Sequence, residues 1–167
     1  YEEIDAADFD AIHLPGGHAP GMRPYLESET LQAKLVGFFD RDLTVSAICH
    51  GPVLLARAID PSTGYPVLRG RRMTALTRTL ERAGFWLTFW KLGRHFRTYS
   101  EYVESEIRRA IGPEGRFESG PLLPSYDAGF TVRDGNLITA RWPGDADALG
   151  RRLADLLRSE GPAGKEG

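Results

Sequence analysis

The sequence predicts an α/β fold: a layered sandwich around a mostly parallel sheet. Three observations carry that prediction. Strand-like and helix-like runs alternate from Phe9 to Leu76 in the order strand, helix, strand, helix, strand. The second strand run, "LTVSAI", is nearly continuous in apolar residues, as strands covered on both faces are. The first two strand runs end in glycine- and proline-bearing turns, "PGG" and "CHGP".

The elements follow in order. "FDAIHLP", Phe9 to Pro15, reads as a short apolar strand stopped by Pro15-Gly16-Gly17. Ser28 is placed to cap a helix through Asp40, whose Leu31, Leu35, Phe38 and Phe39 share one face. After the second strand, Pro52 sits in the first turn of a helix to about Ala58. "RRMTAL", Arg71 to Leu76, is a third strand. Phe85, Trp86, Phe89 and Trp90 then form one helical stripe, expected to be core or subunit interface. Ser100 is expected to cap a helix with Val103, Ile107 and Ile111 on its buried face. "GPEGRFESGPLLPSYDAG" reads as a Gly/Pro-rich loop, and "FTVRDGNLITA" as a hairpin turning at Asp134-Gly135. Asp145 is the expected N-cap of a last helix, with Leu149, Leu153, Leu156 and Leu157 inward. No internal repeat or long interior linker divides the run, so residues 1–158 are read as one domain and 159–167 as a disordered tail.

The bulk properties exclude several classes of function. The 167 residues are 41% hydrophobic and 26% charged, with a formal net charge of −2. No basic excess asks for nucleic acid; Arg69, Arg71, Arg72 and Arg151, Arg152 read as solvated faces. "FWLTFW" is too short to span a bilayer. The single cysteine excludes an internal disulfide and fits a reducing, cytoplasmic compartment. No metal site is read from the sequence: the histidines lack helical HxxxH spacing, and carboxylates are not grouped with them. No cofactor is expected. The chain opens on "YEEIDAADFDAIHLPGG" without a methionine, and an N-terminal βα unit is expected to be missing.

The cysteine stands at a chemically loaded place. In "VSAICHGPVLLARA", Cys49 follows the second strand and precedes a helix. Such an elbow lifts a side chain above the carboxyl edge of the sheet, where α/β proteins bind ligands. It also sets the sulfur at a helix N-terminus, which favours the thiolate and lowers its pKa. Ala47 and Gly51 keep the turn uncluttered. The alternative is a buried, inert thiol. His50 is the nearest base. His18 lies in the glycine-rich "PGGHAPG" loop, which a parallel sheet sets beside the elbow. Gly16 and Gly17 shape that loop, and the N–H groups of Gly17 and His50 are candidate oxyanion donors. The plain alternative is a simple turn with His18 exposed. His13 and His95 read as structural or exposed.

On these residues the chain resembles the ThiJ/PfpI superfamily, within the class I glutamine amidotransferase-like folds. The matching pieces are "FDAIHLPGGHAPGM", "VSAICHGPVLLARA", "LRGRRMTALT" and "DGNLITARWPGDADALGRRLADLL", in family order. The superfamily holds the Parkinson-linked deglycase, glyoxalase III-type heat-shock chaperones and intracellular peptidases. The aromatic "RAGFWLTFWKLGRHFRTYSEYVESEIRRAIGPEGRFESGP" is similar to a bacterial branch labelled type 1 glutamine amidotransferase domain-containing proteins. The resemblance implies a flavodoxin-like or Rossmann-like three-layer sandwich. It implies Cys49 as nucleophile, His50 as its partner and Glu81 as the acid orienting the histidine, unless Glu81 is a solvent-facing helix residue. The family's glutamate from the first strand region has no clear counterpart here. "ARWPGDA" replaces a Gly-Gln-Asn-Pro-type motif, leaving Arg141 and Trp142 to flank the pocket; Arg141 either pairs with a substrate carboxylate or makes a surface ion pair.

The leading expectation is a cofactor-independent, cysteine-dependent enzyme of the glyoxalase III or deglycase type. Its thiolate would add to small reactive carbonyls to give a hemithioacetal. The alternatives are a redox-responsive or chaperone-like oligomer without turnover, and an amide or peptide hydrolase. A homodimer is the expected assembly. Glutamine amidotransfer is disfavoured, because "ARWPGDADAL" carries no histidine.

Overall fold

The computed structural model describes residues 1–94, 97–121 and 128–160. His95, the centre of the Gly/Pro-rich loop and all but the first two residues of the expected tail lie outside the described residues. The elements are β1 (Ala11–Leu14), α1 (Arg23–Leu26), α2 (Glu29–Asp40), β2 (Thr44–Ile48), α3 (Pro52–Arg57), β3 (Arg72–Met73), α4 (Arg78–Leu92), α5 (Val103–Ile111), β4 (Arg116–Phe117), β5 (Thr131–Asp134), β6 (Leu137–Ala140) and α6 (Ala146–Glu160).

The main sheet has the order β1-β2-β6-β5. β1 and β6 both run parallel to β2, and β5 closes the edge antiparallel to β6. A second pair, β3 with β4, is parallel. This is a mixed α/β architecture with a mostly parallel central sheet, as the alternation of runs requires. β2 is buried along its whole length because helices pack over it: α6 lies on β2 and β6, and α2 lies on β2 and α3. α3 is buried on nearly every side, which is why "PVLLA" shows no polar face. Leu54 and Leu55 are fully buried there, each contributing about 1.5–3 kcal/mol of burial free energy.

Local signals explain most element ends. The Ser28 hydroxyl accepts from Leu31 N–H at 3.2 Å and caps α2. Pro52 occupies the first turn of α3 without losing a bond. The hairpin turns one residue later than expected: Asp134 pairs with Leu137, so Gly135 and Asn136 form the loop, with Gly135 at φ 56°.

One expectation is corrected and two are refined. Ser100 does not cap α5; Tyr102 holds that position, and the Val103 N–H donates to the Glu81 carboxylate at 3.1 Å. A carboxylate from α4 thus caps a helix that begins 22 residues later. Asp145 stands immediately before α6, and its carboxylate accepts from Phe130 N–H at 2.8 Å and from Arg141. Of the two places expected for the aromatic stripe of α4, core within this chain does not hold at Trp86, 64% exposed, or Trp90, 79% exposed.

Candidate active site

The parallel pairing of β1 with β2 brings two loops together at one end of the sheet. The loop after β1 carries Gly16, Gly17 and His18; the turn after β2 carries Cys49, His50 and Gly51. Cys49 is held at φ 61°, a left-handed conformation that costs a non-glycine residue about 1–2 kcal/mol. Its backbone is fixed from two sides. The Cys49 N–H donates to the Ala140 carbonyl at the end of β6, and its carbonyl accepts from Leu76 N–H after β3. The neighbouring strands impose the elbow.

Close approach explains two glycines. A Cβ on Gly16 would come within 2.5 Å of Cys49 Cβ and 2.7 Å of the Ile48 carbonyl oxygen. A Cβ on Gly51 would lie 2.3 Å from the Leu14 carbonyl oxygen. Only hydrogen fits where the two loops cross. Gly17 packs its Cα against the Met22 side chain.

The sulfur sits between two imidazoles. His50 Nδ1 is 3.4 Å from Cys49 Sγ, and His18 Nε2 is 3.7 Å away on the other loop. The two rings meet edge to face, with centroids 4.9 Å apart. The His18 carbonyl accepts from the Thr98 hydroxyl at 2.6 Å, which ties its loop to the connection between α4 and α5. Nothing in the sequence marked Thr98, because its partner lies 80 positions away.

The electrostatics differ from the expectation. Cys49 is 4% exposed and His50 1%. Burial pushes the Cys49 thiol up to about 12, against a smaller lowering from the His50 backbone N–H and a further rise from the Glu81 charge. Burial and the nearby His18 depress His50 to about 3. The resting pair is therefore a neutral thiol beside a neutral imidazole. Loss of solvent outweighs the helix end that the sequence suggested would favour thiolate.

Glu81 reaches the neighbourhood but in another posture. It is 2% exposed, so it is no solvent-facing residue. The described hydrogen bonds to its carboxylate come from Val103 N–H and from Arg97 at 3.4 Å, not from His50. Burial raises its pKa, and those two donors oppose the rise. Arg141 is neither a surface residue nor an open carboxylate receptor. It is buried, with Nε 2.8 Å and Nη2 3.0 Å from the Asp145 carboxylate, while Nη1 donates to the Ser119 and Pro121 carbonyls. Its charge is committed inside the chain. Trp142 is half-buried against the core and lies over Gly144. His13 is exposed, 3.1 Å from the Ser46 hydroxyl. Its ring is drawn in against that hydroxyl, and the partial loss of solvent there lowers its pKa.

His18, Cys49 and His50 each offer a ligand atom, and the three lie within 4.8 Å of one another. The sequence set the His18 loop beside the elbow, but not the distances that bring both imidazoles onto one sulfur.

A parallel α/β sheet with a cysteine on a strained strand-to-helix turn, faced by a glycine loop and flanked by imidazoles, defines a cysteine-elbow protein. The chain belongs to the DJ-1/PfpI family, whose model matches residues 1–156. It is 29% identical over 144 residues to Glyoxalase 3 of Candida albicans, covering 86% of this chain and 56% of that protein. It is 40% identical over 157 residues to Protein/nucleic acid deglycase 2 of Escherichia coli, covering 93% and 65%. The crystal structure of glyoxalase III from Candida albicans superposes with a TM-score of 0.68 at 25% identity, over 92% of this chain and 60% of that one. The chain thus spans roughly three-fifths of the relatives it matches. Among the described residues no helix is long and apolar enough to cross a membrane.

Proposed function

We propose that this chain carries the catalytic cysteine of an enzyme acting on small reactive carbonyls, of the glutathione-independent glyoxalase or deglycase type. The observation that carries the reading is the Cys49 sulfur held between His50 and His18 at a positive-φ elbow. Support comes from relatives bearing glyoxalase and deglycase names. Because the resting thiol is neutral, its proton leaves as the sulfur attacks. Sγ bonds to the aldehyde carbon, the thiol proton passes to His50 Nδ1, and the C=O π pair moves to oxygen. The imidazolium then returns the proton to that oxygen, leaving a hemithioacetal and a neutral imidazole. The Gly17 and His50 N–H groups are the proposed donors to the developing oxyanion. With methylglyoxal the product is lactate: the aldehyde carbon is oxidised, the adjacent ketone carbon is reduced, one water is taken up, and no external oxidant is needed.

Glu81 acts in this reading through its field and as the cap of α5, a positioning role. The proposed assembly is a homodimer. Its support is the exposed apolar face of α4, with Trp86, Leu87, Phe89 and Trp90 all turned outward. Residues 1–158 are read as one domain, and the single reduced cysteine suits the cytoplasm.

The test is lactate formation from methylglyoxal by the chain and by Cys49→Ser. Turnover is expected to fall at least about a thousandfold in the variant with the fold intact by circular dichroism. Full turnover in Cys49→Ser rejects the proposal. Sedimentation velocity over a concentration series tests the dimer, with Trp90→Ser expected to shift the protein toward monomer.

A further inference from the structure

Among the described residues, one group of three side chains has the donor types and spacing of a transition-metal site: His18, Cys49 and His50. In a tetrahedral zinc site the metal lies about 2.3 Å from sulfur and about 2.0–2.1 Å from nitrogen, which places a sulfur and a nitrogen ligand about 3.6 Å apart. The two sulfur–nitrogen separations here are 3.4 and 3.7 Å. The two sulfur–nitrogen edges are already at that length, while the two nitrogens, within 4.8 Å of each other, must stand about 3.3 Å apart in such a site. Two of the residues come from one rigid turn, whose Cys49 is bound through both backbone groups, and the third from a loop fastened by Thr98. Ligation therefore keeps the two sulfur–nitrogen edges and draws the two imidazoles toward each other. The donor set, one thiolate and two imidazoles, suits a borderline-soft ion such as Zn2+ and not the oxygen-seeking Mg2+ or Ca2+.

We infer that His18 Nε2, Cys49 Sγ and His50 Nδ1 form a three-ligand site for a divalent transition metal, with Zn2+ the best-fitting ion and the fourth position left to water. On binding, a metal–sulfur bond forms as the thiol S–H bond breaks, and the proton goes to solvent. The imidazole nitrogens donate lone pairs and stay uncharged. No electron changes hands. The same sulfur lone pair cannot both ligate and attack a carbonyl, so a filled site is a blocked nucleophile. That consequence alone rests on the carbonyl-enzyme reading; the binding does not.

The experiment uses Co2+ as a spectroscopic probe and Zn2+ by calorimetry, on the chain after treatment with a chelator. One equivalent of Co2+ is expected to give a thiolate-to-cobalt charge-transfer band in the near ultraviolet and the intense visible bands of a four-coordinate ion. Zn2+ is expected to displace it with one-to-one stoichiometry and to raise Tm. Cys49→Ser is expected to lose the charge-transfer band. His18→Ala, on the less buried loop, is expected to bind Zn2+ at least tenfold more weakly while keeping its native circular dichroism. A wild-type chain with no charge-transfer band overturns the inference, whether or not it turns over methylglyoxal. So does unchanged Zn2+ affinity in His18→Ala. Carbonyl turnover that survives in Cys49→Ser would sink the enzyme reading and leave a positive cobalt spectrum untouched.

Discussion

Two buried polar clusters sit on neighbouring strand ends, and they are built on opposite terms. Cys49 follows β2 and Arg141 follows β6, two strands paired in parallel with Ile48 opposite Ala140. Arg141 is satisfied throughout: its guanidinium meets the Asp145 carboxylate through Nε and Nη2, and Nη1 takes two backbone carbonyls. The Cys49 cluster carries a strained backbone and displaced titrations, with the sulfur 3.4 and 3.7 Å from two imidazole nitrogens and, among the described residues, in no ion pair. A buried charge with every donor matched is scaffold. A buried nucleophile with reactive neighbours and unspent chemistry is where a substrate or an ion can act. Sequence position made both residues look like pocket residues; only Arg141 is closed off by an ion pair.

The largest effect that would break this contrast concerns the thiol. With its pKa pushed to about 12 against 9.0 in an unfolded chain, Cys49 should react with iodoacetamide at pH 8 about a thousandfold more slowly in the native protein than in urea. Equal rates would mean that burial does not suppress ionisation of the thiol, and a faster native rate would mean a resting thiolate and would undo the neutral-pair mechanism. On the other side of the comparison, Asp145→Ala strands the Arg141 charge and should cost about 3–5 kcal/mol in urea unfolding. Replacing both members by apolar residues of similar volume should recover much of that loss. A cost below about 1 kcal/mol for Asp145→Ala would place the pair with ordinary surface bridges.

Smaller effects sharpen the picture. Gly16→Ala should destabilise by about 1–3 kcal/mol, because its methyl meets Cys49 Cβ and backbone atoms that cannot swing away. Turnover per folded molecule should fall with it, since the two loops must part. The effect that is smallest at neutral pH is a linkage. His50 is depressed to about 3 in the fold and returns to about 6.5 on unfolding. Below pH 6.5 the unfolded chain therefore binds more protons, so stability falls as pH drops from about 6.5 toward 3. His50→Gln should flatten the part of that slope that His50 owns, measured by urea midpoints across the range. An unchanged slope would show that the acid sensitivity comes from other groups.

Much of this was legible in the residues themselves. The strand-helix alternation, the Ser28 cap, the Pro52 start and the hairpin rest on interactions within a few positions, and those are local physics. Cys49, His50 and the glycine loop were legible as well, because a parallel sheet must align the turns after β1 and β2. Glu81 was not, since its bond to Val103 spans 22 positions and makes it the cap of another helix. Nor was Arg141, whose ion pair with Asp145 looks from the sequence like any helix-start aspartate near an arginine.

By itself, then, the sequence determined the class of fold and the identity of the sulfur at its elbow, because hydrophobic period and turn chemistry act at short range. The tertiary structure decided the charge state of that sulfur, the distances at which two imidazoles flank it, and the retirement of Arg141 into the scaffold. Those depend on how much water is excluded and on which distant groups are brought within a few ångströms, quantities that exist only once the chain has closed on itself.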